Sequence, residues 1–92
     1  MAKVVFTATA QRALKAILAH IAADRPKAAM ALIDYLHQHT TAMLTQFPDA
    51  GARYRGEMRF VTVRTYSLIY RHDVAAGVVF VLDVVGPGRD WR

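Results

Sequence analysis

Arginine is the residue type in this chain best suited to chemistry, and it crowds the second half: Arg53, Arg55, Arg59, Arg64, Arg71, Arg89 and Arg92. A guanidinium presents a planar fork of donors that fits a phosphate or a carboxylate two bonds at a time. Such a set can hold nucleic-acid phosphates or the acidic side chains of a protein partner. Tyr70, next to Arg71, adds a phenol able to serve as acid or base. Each residue also has an ordinary reading. A lone arginine on a sheet is usually solvated. Strand alternation places Tyr66, Leu68, Tyr70 and His72 on one side and Ser67, Ile69 and Arg71 on the other, and the first set has the look of core.

Other chemistries find little to work with. There is no cysteine, which removes disulfides, thiolate metal sites and thiol nucleophiles together. Of the four histidines, His37 and His39 lie two apart on a predicted helix and so point nearly opposite ways, with no acidic residue to complete a ligand set. Asp24, Asp34, Asp49, Glu57, Asp73, Asp83 and Asp90 are scattered, without the pairing that glycoside hydrolysis uses, and no glycine-rich phosphate loop occurs. Neither metal nor cofactor is expected. At the carboxyl end, Gly86-Pro87-Gly88 leads to Arg89-Asp90-Trp91-Arg92, where Trp91 either packs back on the domain or meets a partner.

Twelve basic against seven acidic side chains leave a net charge of +5 on 92 residues, which favours an acidic partner, nucleic acid or protein. The richest apolar run, Val78 to Val85, contains Asp83 and is far short of a membrane span. The amino terminus has no sustained apolar stretch, so a secretory signal is not expected and the cytoplasm is the expected compartment. A chain of this length has room for one hydrophobic core, and residues 1–92 read as a single domain.

The elements that must position these groups are legible from periodicity. Lys3 to Phe6 reads as a strand, followed by Thr7 or Thr9 as helix cap. Leu14, Ile17, Leu18 and Ile21 form one face of a first helix. Asp24-Arg25-Pro26 interrupts it, with Asp24 the expected cap and Pro26 suited to the first turn of a second helix. That helix carries Ala29, Leu32, Ile33, Leu36, Thr40, Met43, Leu44 and Phe47 in steps of three and four, and Pro48-Asp49 with Gly51 ends it. Beyond Gly56, Met58 to Arg64, Tyr66 to His72 and Val78 to Val85 read as three strands joined by tight turns. The expected architecture is an α+β fold of order β-α-α-β-β-β, a helical hairpin packed on a small, mainly antiparallel sheet.

In this arrangement the chain resembles the RelE/ParE toxins of type II toxin–antitoxin pairs over nearly its full length. The resemblance is carried by the helix joint from Ile21 to Ala29, the Phe47-Pro48-Asp49-Ala50-Gly51 break, the strand pair around Arg59 and Tyr66-Ser67-Leu68-Ile69-Tyr70-Arg71, and the ending Arg89-Asp90-Trp91. It implies a toxin neutralised in a hetero-oligomer by an antitoxin whose flexible segment wraps the helical hairpin and sheet edge. Leu14, Leu18 and Leu36 are the expected antitoxin contacts.

The resemblance also implies one of two targets. RelE-like members cut messenger RNA on the ribosome, using arginine or lysine to stabilise charge and a tyrosine or histidine near the carboxyl end for proton transfer. ParE-like members act on DNA gyrase. Two departures favour the second. The nucleases typically carry arginine where Ser67 stands, and histidine or tyrosine after the last strand, where Val85 here gives way to Gly86-Pro87; nor can Trp91 both donate and accept a proton. The expected target contacts are Arg59, Arg64, Arg71, Arg89, Trp91 and Arg92. In the alternative, a ribosome-dependent nuclease, Arg59, Arg64 or Arg71 would hold the scissile phosphate and Tyr70 would be the general base. An inactive family member retained as a binding partner is the third reading.

Overall fold

The structure, a computed structural model, describes residues 1–88. In chain order it contains β1 (Lys3–Phe6), α1 (Ala8–Ala22), α2 (Pro26–Gln46), β2 (Ala52–Arg53), β3 (Met58–Val63), β4 (Tyr66–Asp73) and β5 (Val78–Val85). The strands form one sheet in the order β1-β5-β4-β3-β2. β1 runs parallel to β5, and every other neighbouring pair is antiparallel. This is the expected α+β arrangement with one addition, the two-residue strand β2. It extends the sheet beside β3 through the pairs Ala52 to Phe60 and Arg53 to Arg59.

Helix α1 starts where the sequence places it. Thr7 is the cap, its hydroxyl oxygen accepting from the Ala10 amide at 3.3 Å. The same hydroxyl donates to the Val81 carbonyl at 2.9 Å, so the cap also ties the helix start to β5. The joint between the helices differs from expectation. Arg25, not Asp24, occupies the cap position of α2 and makes no side-chain cap bond. Asp24 and Arg25 instead donate their amides to the Ile21 carbonyl and close the end of α1. Pro26 at the start of α2 has no amide, so the first turn of the helix carries one orphan donor fewer.

Both helices pack on one side of the sheet. Leu14 of α1 and Leu36 and Leu44 of α2 meet Val61 and Val63 of β3, Leu68 and Tyr70 of β4, and Val79, Val81 and Val84 of β5 in one buried cluster. At roughly 25 cal/mol per Å² of apolar surface withdrawn from water, this cluster is the main source of stability. The alternation of β4 is as read: Leu68 and Tyr70 are fully buried on the helix side. On β5 the pairing steps from Ile69–Asp83 to Tyr70–Val81. Leu82 is therefore an extra, bulged residue, and the bulge keeps Val81 and Val84 on the helix side despite their odd spacing.

Candidate anion-binding cleft

The loop from Phe47 to Gly51, which connects α2 to β2, lies against the helix-side face of the sheet at the far end of β4. A loop laid on a sheet brings backbone amides and carbonyls that no ladder pairs, and buried ones must find partners. Here side chains of the sheet supply them. The Gly51 amide donates to the Tyr70 hydroxyl at 2.8 Å, and Arg59 Nη1 donates to the Gly51 carbonyl at 3.0 Å. Contact is so close that a β-carbon on Gly51 would stand 2.7 Å from both the Phe60 carbonyl oxygen and the Tyr70 hydroxyl. Only glycine fits without displacement.

Two residues earlier, Asp49 joins the same cluster. Its Oδ1 lies 3.0 Å from His72 Nδ1 and 3.8 Å from Arg59 Nε. The hydrogen bond from His72, with the nearby charges of His72, Arg59 and Arg53, lowers the Asp49 carboxyl below its ordinary value of 3.8. An ionised carboxylate only accepts, so His72 Nδ1 carries the proton and donates it. The other ring nitrogen has no partner among the described residues. Tyr70 is displaced in the opposite sense: burial raises its phenol above 10.0, outweighing the Gly51 amide and the Arg59 charge, which lower it. Buried and neutral, it accepts the Gly51 amide rather than taking protons from a substrate.

Around this cluster opens a cleft of about 180 Å³ lined by Asp49, Arg53, Gly56, Glu57, Met58, Arg59 and His72. Arg53 stands directly across from Arg59 in the β2–β3 pair. It is exposed, and no described carboxylate pairs with it. A second depression, about 700 Å³, lies at the opposite end of β4. Ala13, Ala16 and Ile17 of α1 face Tyr66, Val84 and Pro87 across it, with His20 and Asp83 as its ionisable groups.

Of the arginines expected as target contacts, the three described, Arg59, Arg64 and Arg71, do not converge. Arg59 is on the helix side within the cluster just described. Arg71, paired with Met58 on the opposite face, lies over the Phe80 ring at 5.0 Å and 3.9 Å from Asp73. Arg64 sits at the tip of the β3–β4 hairpin with a positive φ of 56°, its guanidinium 4.2 Å from the centre of the Tyr35 ring. Arg89, Trp91 and Arg92 lie outside the described residues. Of the leucines expected to meet an antitoxin, Leu14 and Leu36 belong to the buried core, and only Leu18, half-buried, keeps surface. Among the described residues no three histidine or acidic side chains come together as metal ligands, and no helix is long and apolar enough to cross a membrane.

Asp49 and His72 were missed as a pair by sequence reasoning. Asp49 reads as part of a helix stop and His72 as the end of a core-facing row, and 23 positions separate them. Arg53 was one arginine of a series, because its two-residue strand is too short to leave a pattern. The available signal was indirect: Arg59, Tyr70 and His72 fall on one face once β3 and β4 are paired.

A helical hairpin on one face of a mixed sheet with parallel outer β1 defines the RelE/ParE toxin fold, and the comparisons with known proteins agree. Among solved structures, the chain resembles one of a chromosomal ParDE toxin–antitoxin system from P. aeruginosa, with a TM-score of 0.79 and 20% identity over 95% of this chain and 97% of that one. The isolated E. coli RelE toxin superposes with a TM-score of 0.68 and 17% identity over 98% of this chain and 88% of that one. A RelBE toxin–antitoxin complex of Mycobacterium tuberculosis gives 0.62 and 23%, over 92% and 96%. A search of curated proteins finds no match. The model of the family described as the ParE toxin of type II toxin–antitoxin systems matches residues 4–91. The chain belongs to that family and is a ParE-like toxin.

Proposed function

We propose that this toxin inhibits DNA gyrase, and through it replication, in the cytoplasm, and that a cognate antitoxin holds it in check in a hetero-oligomer. The observation that carries the choice of target is the dispersal of the groups named for the nuclease, Arg59, Arg64, Tyr70 and Arg71. Ser67 stands where the ribosome-dependent nucleases carry arginine. Tyr70, the general base of the alternative reading, is buried, with its hydroxyl taken by the Gly51 amide. Arg59, Arg64 and Arg71 occupy the helix side, the hairpin tip and the opposite face, so no single scissile phosphate is shared by all three. Stabilisation of a transition state needs donors aimed at one point, whereas a protein target can be held by separated arginines.

On this reading the target contacts are Arg59, Arg64, Arg71 and the terminal Arg89, Trp91 and Arg92, and Leu18 is the leucine through which the helical hairpin meets the antitoxin. The solved ParDE and RelBE relatives are toxin–antitoxin systems, which supports an antitoxin partner here. Purified toxin is expected to inhibit supercoiling by gyrase from its own host or to trap gyrase-cleaved DNA. Neither effect at saturating toxin, together with cleavage of message on toxin-treated ribosomes, would replace this reading with the nuclease.

A further inference from the structure

We infer that the cleft between Asp49, Arg53, Arg59 and His72 is a binding site for a phosphoryl group, presented by a nucleotide or by a nucleic-acid backbone. Arg53 and Arg59 face each other across adjacent strands, a placement of like charges that costs stability unless something neutralises it. Asp49 does so in part, but it is committed to His72 at 3.0 Å and to Arg59 at 3.8 Å. No described carboxylate lies within ion-pair distance of Arg53. Arg59 spends Nη1 on the Gly51 carbonyl, which fixes the guanidinium plane and leaves Nη2 without a partner among the described residues. The Asp49 bond likewise holds the His72 ring in place, its second nitrogen uncommitted among the described residues.

Two guanidinium groups from adjacent strands and an imidazole from a third offer donors from several directions. That arrangement suits the tetrahedral oxygens of a phosphoryl group; a planar carboxylate is satisfied by one guanidinium fork. The cleft's volume of about 180 Å³ equals roughly six waters at about 30 Å³ each, enough for a phosphoryl group and the first atoms of its ester. Glu57, exposed at the same cleft, opposes an anion and gives the site a second, oppositely signed handle. The inference does not rest on gyrase as the target, because binding is read on the toxin alone.

The test follows the His72 ring resonances of the full chain by NMR during titration with inorganic phosphate, adenosine monophosphate and a short oligothymidylate at constant ionic strength. Saturable shifts at His72 are expected, weakened about tenfold in Arg53→Ala, since a charge-assisted fork is lost, and strengthened in Glu57→Gln. Tighter, salt-dependent binding of the oligonucleotide would identify a nucleic-acid backbone as the source, and preference for the mononucleotide would identify a nucleotide. Absence of saturation, affinity indifferent to both substitutions, or tighter binding of a glutamate-rich peptide than of any phosphate would overturn the inference.

Discussion

The two ends of β4 are built from different materials. At the Tyr66 end, α1 lies along β5, and its small Ala13 and Ala16 face Tyr66 and Val84 across a broad groove. At the Tyr70 end the covering element is the loop from Phe47 to Gly51, and the contact is narrow and polar. A helix has already satisfied its own backbone and can meet a sheet through apolar side chains alone. A loop cannot, so the sheet beneath it must provide a hydroxyl and a guanidinium for the Gly51 amide and carbonyl. The polar groups at the second end are thus needed for folding before they do anything else, and the groups left over, on Arg53 and His72, are what gives that end binding potential.

The sharpest way to break this contrast is a β-carbon at each end. Gly51→Ala puts a methyl 2.7 Å from the Phe60 carbonyl and the Tyr70 hydroxyl. The loop must lift and lose both side-chain bonds, for an expected loss of more than about 3 kcal/mol in denaturant unfolding. Tyr70→Phe keeps the packing but leaves the buried Gly51 amide unsatisfied, an expected cost of about 1–3 kcal/mol. That corresponds to roughly 4–8 °C of Tm per kcal/mol in a domain of this size. Gly86→Ala at the groove end behaves oppositely. Its β-carbon would meet Tyr66 at an ordinary 3.5 Å, and reduced freedom of the unfolded chain should add about 0.4–1 kcal/mol. Equal effects of the two glycine substitutions would remove the distinction between the ends.

The smallest effect sharpens the electrostatic side. Because the folded Asp49 carboxyl lies below its ordinary value of 3.8, its contribution is complete above that value and is lost as pH falls through the lower folded one. Asp49→Asn should therefore flatten the acid limb of the stability profile below about pH 4 while leaving its slope near neutrality unchanged. Asp49 is largely exposed, so screening keeps the difference small, and it is best read as a pH midpoint in urea.

The fold was legible wherever a periodic pattern ran long enough. The stripe from Ala29 to Leu44 gave α2, and the two-residue alternation from Tyr66 to His72 gave both the strand and the buried side of Tyr70. Legibility failed where the controlling contact was distant or the element short. Strand β2 has two residues and no period. Asp24 has the chemistry of a cap, but Arg25 takes the cap position directly before Pro26, so the aspartate stands one residue too early. Gly51 reads as punctuation after a helix, and its packing role depends on Tyr70 and Phe60, which no local pattern connects to it. Arg59 and Arg71 look equivalent in sequence, yet strand pairing puts them on opposite faces.

Incorporation of labelled thymidine and labelled methionine, followed in parallel from the moment the toxin is induced without antitoxin in a bacterial host, tests the choice of target most directly. Gyrase inhibition predicts that thymidine incorporation falls first while methionine incorporation continues. Methionine incorporation falling first would contradict it and make the ribosome the target.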